Sequence, residues 1–135
     1  MWQGRKSPTL AEIETLAEAA FSRLPQAFRE MAQDVIVRIE DFPTDEVLDE
    51  LGIASEYDLL GLYQGVSLDR KSVSDPGLSP DMVFLYRRPI LDYWAEHEDT
   101  LEGIVTHVLV HEIGHHFGLS DDDMEAIERQ SGVGD

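Results

Sequence analysis

Leu10, Ile13, Leu16, Ala17, Ala20, Phe21 and Leu24 recur at the three- and four-residue steps of a helix. Thr9 and Glu12 stand where a capping box opens one, so the spacing predicts a helix over residues 9–24. Pro25 interrupts it and suits the first position of a second short helix, ending near Met31. Residues 35–39, Val-Ile-Val-Arg-Ile, are β-branched and predict a strand. Thr44 caps, and Gly52 stops, a short helix over residues 44–51. Residues 59–63 and 82–86 predict two further strands. Between them Gly65, Pro76, Gly77, Ser79 and Pro80 mark a loop, to which Arg70 and Lys71 give some positive charge. After Pro89 one or two helical turns are expected. A long helix over residues 100–117 then offers Leu101, Ile104, Val105, Val108, Leu109 and Ile113 to a core, with Glu98, Asp99 and Glu102 at its start, as the helix dipole prefers. Ser120 and Asp123 cap a last helix over residues 121–129. Residues 1–8 and 131–135 are expected to fray.

Composition narrows the class. The chain has 135 residues, enough for one domain over residues 1–135 with a core of its own. Its 42% hydrophobic content is that of a globular protein rather than a disordered one. With no cysteine, a disulfide framework and a thiolate metal site are excluded. Arg5 and Lys6 are followed by no apolar run, so no secretory signal is read, and no stretch approaches the roughly 18 apolar residues of a membrane span. A cytoplasmic protein is the expectation. Net charge is −18, from 28 acidic and 10 basic residues. Nucleic acid is therefore not an expected partner, since phosphate contacts need a positive face. The acidic surface is read first as a solubilising one, and second as an attraction for basic partners or cations.

One stretch carries chemistry. His111-Glu112-Ile113-Gly114-His115 fits H-E-x-x-H, and the run continues through Gly118 to Asp121 as H-E-x-x-H-x-x-G-x-x-D. Residues four apart stack on one helix face, so the imidazoles of His111 and His115 can reach one metal ion. Glu112 lies about 100° further round, placed to touch a water on that ion rather than to share it. A hydrolytic zinc takes three protein ligands and leaves a fourth place for water. Gly118 can take a positive φ and end the helix sharply, which lets Asp121 turn back toward the metal. Asp121 also fits as a charge on the first turn of the last helix, and Asp122, Asp123, Glu125 and Glu128 are other carboxylates within that segment.

Other polar residues receive plainer readings. His107, four before His111, fits a fourth ligand or a group behind the ligands, but is read as a partly buried packing residue. His97 and His116 are read as surface or structural. Tyr63, Tyr86 and Tyr93 carry hydroxyls able to stabilise an oxyanion, yet aromatics in strands are usually core. Met124 is a candidate to lie under the metal from the last helix.

With these residues in view, the chain resembles the small bacterial zincin-like metallopeptidases, the minimal zincin group. The resemblance rests on residues 60–66 (Leu-Gly-Leu-Tyr-Gln-Gly-Val), on residues 84–89 (Phe-Leu-Tyr-Arg-Arg-Pro), and most specifically on Val110 through Gly118 with Asp121. It implies an α+β fold in which a small mixed sheet packs against the metal-binding helix, with flanking helices. It implies a zinc-dependent peptidase with His111, His115 and Asp121 on the metal. Glu112 would be the general base toward the zinc-bound water and would pass the proton to the leaving amine. Zincins often align the peptide along an edge strand, for which residues 82–86 are the expected candidate. The small size predicts little room for a walled cleft, and hence a short or unfolded peptide as substrate. The alternative is a non-catalytic module that binds metal or a protein partner and keeps the zincin shape.

Overall fold

Thr9 opens the first helix, α1 (Leu10–Arg23), with both halves of a capping box. Its hydroxyl accepts from the Glu12 amide at 3.1 Å, and the Glu12 carboxylate accepts from the Thr9 amide at 2.9 Å. Pro25 then stands just outside α2 (Gln26–Met31) as its N-cap. The structure, a computed structural model, describes residues 8–65 and 81–131. The expected loop beyond Gly65, with Arg70 and Lys71, lies outside the described residues, as do residues 1–7 and 132–135.

Strand β1 (Ile36–Glu40) is followed by α3 (Asp45–Leu51), which the Thr44 hydroxyl caps and Gly52 ends. A single 3-10 turn (Glu56–Asp58) leads to β2 (Gly61–Gln64). Next come β3 (Met82–Tyr86), α4 (Arg87–Glu96), α5 (Leu101–His116) and α6 (Asp121–Ser131). The fold is α+β, with a three-stranded mixed sheet in the order β1-β3-β2. β1 runs parallel to β3, pairing Ile36 with Met82 and Glu40 with Tyr86. β2 runs antiparallel to β3, pairing Gly61 with Leu85 and Gln64 with Met82.

Two expectations are corrected here. Residues 82–86 are the central strand, with partners on both sides, so they offer no free edge to a peptide. Their unbroken apolar run carries the reason: Val83, Leu85 and Tyr86 are buried, as suits a strand covered on both faces. α4 also starts at Arg87, before the proline, and runs ten residues. Pro89 sits in its first turn, where a backbone N–H has no helical partner to lose.

α5 holds the fold together. Leu101, Ile104, Val105, Val108, Leu109, Val110 and Ile113 are buried around most of its circumference, so it is a core helix rather than an amphipathic one. It packs against α1, β2, β3, α4 and α6. Each large apolar side chain removed from water contributes about 1.5–3 kcal/mol. Among the described residues, no helix is long and apolar enough to cross a membrane.

Candidate metal centre

The polar residues of α5 gather toward its C-terminal half. The Thr100 hydroxyl caps the start, accepting from the Gly103 amide at 3.0 Å. At the other end Gly118 takes φ 78°. The Gly118 amide donates to the His115 carbonyl at 3.1 Å and the Leu119 amide to the Gly114 carbonyl at 2.9 Å, the paired bonds of a Schellman turn. Ser120 and Asp123 then cap α6 reciprocally, at 3.1 and 3.3 Å. This tight reversal folds α6 back beside α5. Met124 is fully buried against Gly114, whose missing side chain gives it room: a Cβ there would lie 2.6 Å from the Met124 sulfur.

Three histidines stand in a row on α5. The rings of His107 and His111 are 4.0 Å apart between centres, and those of His111 and His115 are 5.6 Å apart. Carboxylates of α6 face them. His115 Nε2 lies 3.9 Å from Asp121 Oδ1, and both side chains are exposed, at 59% and 87%. His111 Nε2 lies 3.3 Å from Glu128 Oε2, and His107 Nδ1 lies 3.0 Å from Glu128 Oε1. His107 is 57% exposed, so its reading as a packing residue is corrected. It pairs with an acid instead.

Burial pushes the His111 imidazole below the usual histidine range; the neighbouring His107 adds to this and Glu128 opposes it. The neutral ring is the form that binds a metal. Tetrahedral zinc at 2.0–2.1 Å holds its ligand atoms about 3.3 Å apart. The donor atoms of His107, His111 and Glu128 all lie within 4.8 Å of one another, and among the described residues no other His, Asp or Glu group gathers so closely. Nitrogen and carboxylate oxygen are the donors zinc accepts, so these residues fit a divalent ion.

Glu112 points another way. Its Oε1 accepts a hydrogen bond from the Tyr63 amide of β2 at 3.2 Å. Burial raises its carboxyl above the ordinary range, while the Tyr63 amide and the charge of His115 oppose the shift. Gly61 lets β2 come this close, since a Cβ there would lie 2.4 Å from Val108 Cγ1 and 3.4 Å from Glu112 Cγ. Tyr63 is itself braced. Its hydroxyl donates to Asp81 Oδ2 at 3.0 Å and its ring stacks on His116 at 3.9 Å. His116 is therefore structural. Tyr86 is buried in the core, and burial, with the charges of Glu40 and Glu112, pushes its hydroxyl up to about 12. Of the three tyrosines considered, only Tyr93 faces the cleft described next.

That cleft is a half-open groove rather than a closed pocket. Its volume is about 850 Å³, and it is bordered by Leu60 and Gly61 of the β2 approach, Tyr93 of α4, the three histidines and Glu112 of α5, and acids of α6.

The sequence model of the zincin-like metallopeptidase family matches residues 32–131, which takes in the sheet, α5 and α6. The chain belongs to this family. No curated protein matches it significantly. For a zincin-like chain a divalent metal, typically zinc, is implied, and the donor set on α5 and α6 suits one. The pairing of Glu128 with two histidines was within reach of the sequence. His107, His111 and His115 recur every four residues, and Asp121, Glu125 and Glu128 recur at steps of four and three, so each set shares a helix face.

Proposed function

We propose that this zincin-like chain is a zinc-dependent peptidase in which Glu112 is the general base and His111, His115 and Asp121 hold the metal. The observation that carries the reading is the Glu112 carboxylate fixed on the Tyr63 amide, at the wall of a cleft lined by the histidine row. Metal retention alone gives no reason to hold an acid there. When bound, zinc supplies Lewis acidity toward a water and the scissile carbonyl. Glu112 takes the proton of the attacking water and delivers it to the leaving amine. Its raised carboxyl makes it a stronger base once ionised, and the Tyr63 amide fixes the oxygen it uses.

β2 replaces β3 as the guide for the substrate. Among the described residues it pairs with β3 on one side only, and its Tyr63 amide already faces α5. An extended peptide laid along the outer edge of β2, where Glu112 already takes the Tyr63 amide, would bring a backbone carbonyl to Glu112 by displacing that bond or by pairing beside it. The pairing of His111 Nε2 with Glu128 favours the second reading, a metal-binding module without turnover. A quenched peptide library assayed with added zinc separates the two. The expected result is turnover in the natural chain and a loss of about 10²–10⁴-fold in Glu112→Gln with zinc content unchanged. Equal turnover in that variant would remove Glu112 as the base.

A further inference from the structure

The histidine row contains two i, i+4 clamps, not one. His111 and His115 make the motif clamp, with Asp121 opposite. His107 and His111 make another one turn earlier, with Glu128 opposite. We infer that the chain has a second divalent-cation site, built from His107, Glu128 and the shared His111, which one ion occupies in alternation with the motif site.

Three observations carry this. Glu128 spans both rings of the upstream clamp, 3.0 Å from His107 Nδ1 and 3.3 Å from His111 Nε2. The three donor groups lie within 4.8 Å of one another, wider than the roughly 3.3 Å of a tetrahedral shell, so they close in by side-chain rotation to hold an ion. Glu128 is anchored on a helix that Met124 locks against α5, so the carboxylate is placed by packing rather than by a free chain end. Glu128 engages His111 through Nε2, and a motif ion held through that same atom would exclude one here. Glu112 is committed to Tyr63 on β2, and no donor of the upstream set comes from β2. An ion there lies on the side of His111 away from His115 and serves as a resting position. The inference rests on the reading of His111 as a ligand, but not on that of Glu112 as a base.

The test uses the full chain titrated with Co²⁺ and Zn²⁺, followed by calorimetry, Co²⁺ absorption and ¹⁵N shifts of the histidine rings. In the double variant His115→Gln/Asp121→Asn, whose altered positions are both exposed, one equivalent of Co²⁺ remains bound and His107 Nδ1 shifts on adding Zn²⁺. Adding His107→Gln to that variant weakens binding at least about tenfold. A double variant that keeps its melting transition but leaves His107 Nδ1 unmoved at saturating Zn²⁺ overturns the inference. Two equivalents bound at once by the natural chain overturn the sharing of His111. Peptide turnover plays no part in these readouts, so an inactive natural chain would reject the hydrolase reading and leave this one standing.

Discussion

Glu112 is placed by two distant parts of the chain, a helix that carries it and a strand amide that fixes it. Its raised carboxyl has consequences of opposite sign for turnover and stability. As a base it must be ionised, so turnover falls as pH drops through its folded value; burial in the metal-free chain raises that value, and the positive charge of a bound zinc lowers it again. For stability, the folded chain binds this proton more tightly than the unfolded chain does. The ionised form therefore weakens the fold at pH above the folded value, and the penalty vanishes below the unfolded one. In the metal-free protein, Glu112→Gln is expected to melt higher than the natural chain at about pH 8, with the gap closing near about pH 4. Identical melting at both would contradict this. The residue types and their spacing were legible in the sequence from His111 to Asp121. The Tyr63 amide was not, since every residue type but proline offers a backbone N–H, and only the register of β2 aims this one.

Element type read well because α1, α3, α5 and α6 each carry their own caps in Thr9, Thr44, Thr100 and Ser120. The order of the strands read poorly, since β3 pairs with a strand from far up the chain. Its unbroken apolar run did point to a central place, against the alternation of Arg38 and Glu40 on β1. The contact of β2 with α5 turns on Gly61. A methyl at that position meets Val108 at 2.4 Å and the Phe84 carbonyl oxygen at 3.1 Å. Gly61→Ala is expected to lower stability by about 1–3 kcal/mol in urea melts, as an overpacked contact does. It also displaces Glu112, so turnover drops more than metal affinity. A variant with natural stability would show that β2 can retreat without loss.

Across the whole molecule the charge is −18, and the cleft repeats it with Asp58, Asp99, Asp121, Glu125 and Glu128 against Arg129. Raising ionic strength from about 0.01 M to about 0.15 M shortens the screening length from about 30 Å to about 8 Å. The melting temperature is expected to rise over that range as self-repulsion fades. Peptides rich in Lys or Arg are expected to bind best, with KM increasing as salt is added; a salt-independent KM would show that the field does not reach the cleft. The two proposed cation positions draw every donor from a single helical hairpin, α5 with α6, whereas Glu112 is steadied by a strand some fifty positions earlier. On the proposed reading, ion capture is thus a neighbourhood affair along the polypeptide and hydrolysis a long-distance one. In mild denaturant the chain should forget how to cut before it forgets how to hold zinc.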